Sequence, residues 1–266
     1  MFAKQGMFDT LGMVTHAMSS VDKQLLKLKH LAENEADTTQ RRIHFIEFWT
    51  LAVRANKNIL VVGGTGSGKT TFLKTLCSCI PVEEHIITIE DSWELNLEET
   101  HHNVSNLLFS NRQQSIDQGV LIKPVTATQL VSTSMRMAPS RLLLGELRDE
   151  AAFDYLGAGL SGHKGMSSMH AESVTTSADR FVMLASGHPN AVNIKPDMMH
   201  EMFLSNTDII AHIELTDTGR RLTHLQFDPE GTNRHREAFN SSKEAPDIAA
   251  FLMQLLTKNK SGAANE

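Results

Sequence analysis

The sequence predicts an α/β protein whose sheet is mostly parallel and is covered by helices on both faces. Three apolar runs are the basis for this prediction, at residues 59–62, 85–91 and 141–146. Each run is short and rich in Ile, Val or Leu, as is typical of strands buried on both faces of a sheet. Segments with helical spacing separate the runs, and this alternation of strand and helix favours parallel pairing.

Two helices are predicted before the first strand. Val21, Leu25, Leu28 and Ala32 follow helical spacing and predict an amphipathic helix over about 17–34, which we interpret as a packing element. The second helix is predicted over 41–55, because its large apolar residues lie on one face. These residues are Phe45, Phe48, Trp49, Ala52 and Val53.

A glycine-rich loop after the first strand has the strongest chemical signal. The pattern G-x-x-x-x-G-K-T fits Gly63 to Thr70, between a predicted strand and a predicted helix. Glycines let backbone N–H groups turn inward as an anion nest, and the helix N-terminus adds partial positive charge. Lys69 would reach the β- and γ-phosphates of a nucleotide, and the Thr70 hydroxyl would hold Mg²⁺. The predicted nucleotide-binding residues are Gly63, Gly64, Thr65, Gly66, Ser67, Gly68, Lys69, Thr70 and Thr71.

Acidic residues end the two later strands. Glu90 and Asp91 end the run at 85–91, and Glu146 ends the run at 141–146. Ligands of such sheets bind at the carboxyl ends of the strands, so these carboxylates should lie close to the loop. An apolar strand ending in an acid is what a Walker B element needs to face Mg²⁺ or its bound water. Glu146 is therefore predicted, together with Thr70, to support the metal.

The histidines are harder to interpret. His163 and His170 bracket a strand of small residues at 166–169, and structural and chemical roles are about equally compatible with this position. Zinc is the weaker option for them, because the two cysteines lie far away in sequence. For His101 and His102 we favour a solvated loop over a metal site, because no third ligand stands at the required spacing.

Composition argues against several classes of function. The net charge of −6 and a pI near 6.1 argue against a dedicated nucleic-acid-binding surface. No window approaches 18 apolar residues, so a membrane-spanning helix is not expected. Cys77 and Cys79 stand two positions apart on a predicted helix, where their side chains do not face each other. Reduced cysteines are expected, and with them a cytoplasmic location.

The remaining segments complete the expected architecture. Residues 92–125 are predicted to be irregular, and residues 186–196 form a polar segment that leads to a β-hairpin over 208–215 and 220–227. Further helices are predicted over 126–137, 150–159, 177–185 and 246–256, with a polar tail at 258–266.

Four signatures together resemble the hexameric traffic ATPases of type IV secretion and conjugation, within the type II and type IV secretion ATPase superfamily. The glycine-rich loop matches the Walker A motif of that family, and residues 89–95 resemble its aspartate box. Residues 135–148 resemble its Walker B segment with a preceding arginine, and residues 162–171 match its histidine box. The resemblance covers about residues 44–230.

The resemblance implies a RecA-like P-loop NTPase core, six copies of which form a ring with ATP between subunits. It also implies Mg²⁺-dependent ATP hydrolysis that powers substrate transfer or pilus assembly. The resemblance leaves open which of two acids is the base that activates water. The arginines would compensate the charge of the γ-phosphate or couple neighbouring subunits. The histidines would sense the γ-phosphate. The implied catalytic residues are Glu90, Glu146, Arg136, Arg148, His170 and His163.

The resemblance also implies partners and a domain plan. The partners would be further copies of the chain and channel components at the cytoplasmic face of the inner membrane, and no sequence-specific nucleic-acid binding is expected. Three regions are predicted: a short helical region at 1–40, an ATPase domain at 41–235, and a helix with a polar tail at 236–266.

The chain departs from the family pattern in several places. Ser140 stands where aspartate is usual, and Lys164 stands where proline is usual. Members of the family usually have a separate N-terminal domain before the core, whereas only 57 residues precede Asn58 here. A nucleotide-binding scaffold, or a truncated ATPase fragment with little turnover, is therefore the alternative function.

Overall fold

The computed structural model describes residues 18–110, 115–117, 120–122 and 124–227. The predicted helix at 246–256, the polar tail and the predicted C-terminal region 236–266 lie outside the described residues. None of the helices in the described residues combines the length and the hydrophobicity that a membrane span requires.

A seven-stranded sheet forms the centre of the molecule, in the order β3-β2-β6-β7-β1-β8-β9. Every neighbouring pair is parallel except β8 and β9, which form an antiparallel hairpin. The seven strands are β1 (Ile59–Val62), β2 (Ile86–Glu90), β3 (Val104–Leu108), β6 (Arg141–Leu147), β7 (Gly165–Met169), β8 (Ile209–Thr216) and β9 (Gly219–Phe227). A separate two-stranded ribbon comprises β4 (Ser115–Asp117) and β5 (Val120–Ile122). The predicted fold class, a mostly parallel α/β sheet with a C-terminal hairpin and N-terminal helices, is confirmed.

Seven helices among the described residues accompany the sheet. They are α1 (Ser20–Asn34), α2 (Thr38–Arg54), α3 (Lys69–Cys77), α4 (Ala127–Ser134), α5 (Ala151–Leu160), α6 (Ser177–Ala185) and α7 (Pro196–Asn206). Short 3₁₀ turns occur at Leu97–Glu99, Met135–Met137 and Pro189–Ala191. Side-chain caps begin several helices, such as the Thr126 hydroxyl that accepts from the Gln129 amide at the start of α4.

Two hydrophobic cores lie on the two faces of the sheet. Alternate residues of β1 divide between them, because successive side chains of a strand point to opposite faces. Ile59 and Val61 join the core formed with α1, α2 and α3, whereas Leu60 and Val62 join the core formed with α4 to α7. Burial on both faces explains why the runs read as continuously apolar in the sequence.

Two elements differ from the expectation. Residues 92–125 were expected to be irregular, but β3 extends the sheet beyond β2 there, and the ribbon of β4 and β5 follows. The prediction was wrong because β3 is an edge strand whose residues are mostly half-buried, so its sequence lacks a continuous apolar run. Helix α7 was also missed, although Pro196 at its first turn and the apolar pair Met199 and Phe203 signal a helix.

The β8–β9 hairpin packs closely against the start of the glycine-rich loop. Val62, the last residue of β1, stands beside His212 of β8. A Cβ at Gly63 would lie 2.1 Å from the backbone oxygen of Ile213, so only glycine fits there without backbone movement. The loop is thus confined by the neighbouring strand at the point where it leaves the sheet.

Gly165 provides a test of this close packing. A Cβ there would lie 1.7 Å from the backbone oxygen of Leu142, so Gly165→Ala should lower the free energy of unfolding by about 1–3 kcal/mol or more through overpacking. Urea denaturation measures the change.

Gly157→Ala is the matched control, because a Cβ in that part of α5 meets nothing within 4 Å. That variant should be neutral or up to about 1 kcal/mol more stable, since alanine favours helix. Equal effects of the two substitutions would contradict the packing at Gly165.

Candidate active site

The carboxyl ends of four parallel strands bring the predicted site residues to one edge of the sheet. Gly63 follows β1, Glu90 ends β2, Glu146 lies near the end of β6, and His170 follows β7. Parallel strands place these ends on the same side, which is why residues up to 107 positions apart in sequence meet (His170 minus Gly63).

Lys69 is buried at the centre of this edge. It is the first residue of α3, and its ammonium donates to the backbone oxygens of Gly63 at 3.0 Å and Gly64 at 2.8 Å. Gly66 and Gly68 have φ angles of 71° and 98°, the left-handed region that glycine adopts without strain. Burial lowers the pKa of Lys69, and the nearby carboxylate of Glu146 opposes that effect. The loop is therefore folded around the cation that the sequence predicted to bind phosphate.

Glu146 joins three other polar groups into a chain. Its Oε2 accepts from Arg148 Nε at 2.7 Å, and Arg148 Nη1 donates to Asp91 at 2.5 Å. Its Oε1 lies 3.0 Å from His170 Nε2. Arg148 thus orients the carboxylate from one side while the imidazole faces it from the other.

His170 connects Glu146 to Lys69. Its Nδ1 lies 3.4 Å from the Lys69 ammonium, which can only donate a hydrogen bond, so Nδ1 is the acceptor. Nε2 then carries the ring proton, 3.0 Å from Glu146 Oε1, although that oxygen has no hydrogen-bond partner among the described residues. Burial and the charge of Lys69 lower the pKa of His170, which favours this neutral form.

Glu90 occupies a different environment. Its carboxylate is buried, and Oε1 accepts from the backbone amides of Glu94 at 3.2 Å and Leu95 at 3.1 Å. Oε2 is buried without a hydrogen-bond partner among the described residues. Burial raises the pKa of Glu90, and the two backbone amides partly offset the effect. A carboxylate with a raised pKa and one open oxygen is suited to accept a proton.

A cavity of about 490 Å³ opens beside the loop. Gly63, Gly64 and Thr65 line it on the loop side, and His170 and Arg180 line it opposite. Arg180 lies on α6 and contributes to the lowered pKa of His170. The sequence offered no motif that pointed to Arg180.

Arg220 is a second residue that sequence reasoning missed. It lies near the start of β9, and its Nε donates to the backbone oxygen of Gly66 at 3.2 Å. The two residues are 154 positions apart, and only the pairing of β8 with β1 brings them together. No local pattern could have found it.

Two predicted site residues lie elsewhere. Arg136 is in the 3₁₀ turn before β6, and His163 precedes β7, so both lie at the amino edge of the sheet. Five strand residues separate that edge from the carboxyl edge along β7, a distance of about 16 Å. Within one chain the structure therefore does not bring Arg136 or His163 to the loop.

The donor set is compatible with Mg²⁺. The described residues contain no group of three or more His, Cys, Asp or Glu side chains that could hold a metal by themselves. Mg²⁺ usually binds through one or two carboxylates, waters and substrate phosphates, so a single hydroxyl with a carboxylate is a fitting donor set. Thr70, next to Lys69 on α3, and Glu146 would be those donors.

Comparison with known proteins identifies the family. The sequence model of the family described as "Type II/IV secretion system protein" matches residues 13–201, which is more than half of the chain. The chain belongs to this family.

Curated relatives of this chain agree with the match. It is 39% identical over 175 residues to the type IV secretion system protein PtlH of Bordetella pertussis, covering 65% of this chain and 50% of the relative. It is 31% identical over 229 residues to the type IV secretion system protein VirB11 of Bartonella quintana, covering 85% of this chain and 62% of the relative. The chain therefore spans about half to three-fifths of the length of these curated relatives.

A solved relative supports the fold of this chain. The crystal structure of the VirB11 ATPase from the Brucella suis type IV secretion system, in complex with sulphate, has a TM-score of 0.68 at 28% identity. The similarity covers 85% of this chain and 65% of the VirB11 chain.

The environment of Glu90 predicts a dependence of stability on pH. Because the pKa of Glu90 is raised in the folded state, the folded protein favours the neutral carboxyl group. The contribution of Glu90 to the free energy of unfolding is therefore greatest below the ordinary pKa of 4.5, and it falls as the pH rises through the folded-state pKa. Glu90→Gln removes this titration. The melting temperature of the variant minus that of the wild type should therefore increase between pH 4.5 and pH 8.

Glu99→Gln is the control, because Glu99 is exposed in the 3₁₀ turn at Leu97–Glu99. Its melting temperature should follow the wild type across the same pH range. A Glu90→Gln difference that stays constant with pH would contradict the raised pKa.

Proposed function

We propose that this protein is a Mg²⁺-dependent ATPase that powers substrate transfer or pilus assembly by a type IV secretion or conjugation system. One observation carries the proposal: the buried Lys69 of the glycine-rich loop contacts His170, which faces the acid Glu146. The relatives named as type IV secretion proteins support the transport role. The VirB11 relative, titled an ATPase, supports hydrolysis.

Phosphoryl transfer needs positioning and charge stabilisation more than covalent chemistry. The loop amides would bind the β-phosphate, and the Lys69 ammonium would exchange the Gly63 and Gly64 oxygens for phosphate oxygens. Bound Mg²⁺ would supply further neutralisation of the β- and γ-phosphates. Thr70 and Glu146 would hold it.

The two acids are proposed to have different roles. Glu90 would orient the attacking water and accept its proton, because its Oε2 is unpaired and its pKa is raised. Glu146 is held by Arg148 and faces His170, so it would support the metal rather than act as the base. His170 would report the state of the γ-phosphate, because it contacts both Lys69 and Glu146.

The positions of Arg136 and His163 favour a site shared between subunits. Both lie at the amino edge of the sheet, where they could reach the nucleotide of a neighbouring copy but not that of their own chain. We therefore propose a homo-oligomer, a hexameric ring by analogy with the family. It would work at the cytoplasmic face of the inner membrane with channel components. Within it, residues 41–235 would be the ATPase domain.

A nucleotide-binding scaffold with little turnover is the second candidate. The positions of Arg136 and His163 favour it, because a copy without a neighbour would bind nucleotide without these two groups at its own loop. Measured turnover distinguishes the two candidates.

Lys69→Ala should abolish ATP hydrolysis, because it removes the buried cation of the loop. Phosphate release by the full chain with ATP and Mg²⁺ measures it, in both monomeric and assembled fractions. Lys74→Ala, in the same helix but on a half-buried position beyond the loop, should retain wild-type turnover. If wild-type phosphate release does not exceed that of Lys69→Ala, the ATPase proposal fails.

A mixing experiment tests the shared site. Arg136→Ala alone and Lys69→Ala alone should both be inactive, but a mixture should regain activity, because Lys69→Ala subunits supply Arg136 to neighbours with an intact loop. Arg54→Ala, which removes an exposed arginine at the end of α2, should remain active by itself. A mixture no more active than the sum of its components would contradict action between subunits.

A further inference from the structure

The side chain of Arg220 lies along the glycine-rich loop where the loop turns into α3. Its Nε donates to the backbone oxygen of Gly66 at 3.2 Å. A Cβ on Gly68 would lie 2.7 Å from Arg220 Cδ and 3.2 Å from its Nε. Any larger residue at position 68 would therefore displace the arginine, quite apart from the left-handed φ of 98°.

The hairpin holds Arg220 in this place. Two residues connect β8 to β9, and the Thr216 hydroxyl donates to the backbone oxygen of Gly219 at 2.8 Å. Gly219 has a φ of 111°, as a tight hairpin turn requires. Arg221, the next residue, instead donates to the backbone oxygen of Thr218 at 2.9 Å. Successive residues of a strand point to opposite faces, so only Arg220 reaches the loop.

The contact with Gly66 controls the orientation of one loop peptide. In a trans peptide the C=O and the following N–H point in opposite directions, so holding the Gly66 oxygen outward directs the Ser67 N–H inward. That N–H makes only a long bond of 3.4 Å, to the Gly64 oxygen within the loop. It is thus available to an anion held by the loop.

Arg220 also has unused donors. Among the described residues the only hydrogen bond of its side chain is the one from Nε to Gly66, and the side chain is exposed. Its terminal nitrogens Nη1 and Nη2 can therefore donate to a phosphate, as guanidinium groups commonly do.

We propose that Arg220 is a positioning residue for the nucleotide, which braces the loop peptide at Gly66 and supplies a further cation at the loop. This inference rests on the proposed function and adds to it a residue from the C-terminal hairpin. The α- and β-phosphates are the groups that loop amides cradle, and ADP and ATP both have them. Arg220 should therefore affect the two nucleotides alike, unlike a group that senses the γ-phosphate.

Titration of the full chain with fluorescent ADP and ATP analogues tests the inference. Arg220→Ala should weaken binding of both nucleotides by about three- to tenfold, the range expected when one charge-assisted hydrogen bond near the surface is lost. Arg220→Gln keeps a planar donor for Gly66 without the charge, and it should bind both with an intermediate affinity. Arg221→Ala removes the same charge from the same strand and should bind within about twofold of the wild type.

Melting temperatures of the variants show whether the hairpin is intact, and Arg221→Ala provides the reference. The inference is overturned if Arg220→Ala binds both nucleotides as tightly as Arg221→Ala, or if only ATP binding is weakened. Failure of the wild type to bind either nucleotide above the Lys69→Ala baseline is a different result. It would overturn the proposed function and, with it, this inference.

Discussion

Burial of the Lys69 ammonium at the edge of the sheet is the interaction on which the site depends. A buried cation is costly unless oxygen acceptors surround it, and the backbone oxygens of Gly63 and Gly64 meet this need. Only a loop of glycines can curl closely enough to present them. The same ammonium contacts His170, which in turn faces Glu146. One buried charge therefore organises the loop, the histidine and the acid.

Close packing around the loop is a second constraint on the site. A Cβ at Gly63 would meet the oxygen of Ile213, and one at Gly68 would meet Arg220. Both contacts come from the β8–β9 hairpin, which closes the sheet next to β1. The hairpin therefore helps to shape the candidate site, because its contacts limit where the loop can move. The same arrangement explains how Arg220 comes to lie at the carboxyl edge of the parallel strands.

Much of the fold could be predicted from the sequence, because strands buried on both faces and helices with an apolar face leave periodic patterns. Edge strand β3 was not predicted, because its half-buried positions weaken that pattern. Of the candidate site, the loop after β1 and the acids Glu90 and Glu146 near the ends of β2 and β6 lie at one edge, as parallel strands predict. His163 was grouped with His170 because both flank β7, but a strand holds its two ends apart. Within one chain, therefore, only His170 of the two lies next to the loop.

The sequence by itself determined the glycine-rich loop, the acids that end two strands and the alternation that makes the sheet parallel. These features are local, since each depends on neighbouring residues and their backbone preferences. Only the tertiary structure decided which acid faces His170, which acid has its pKa raised by burial, and which arginine contacts the loop. Such choices depend on strand order and on the side of the sheet to which each element returns. They are set by packing between segments far apart in the chain, and no local pattern records them.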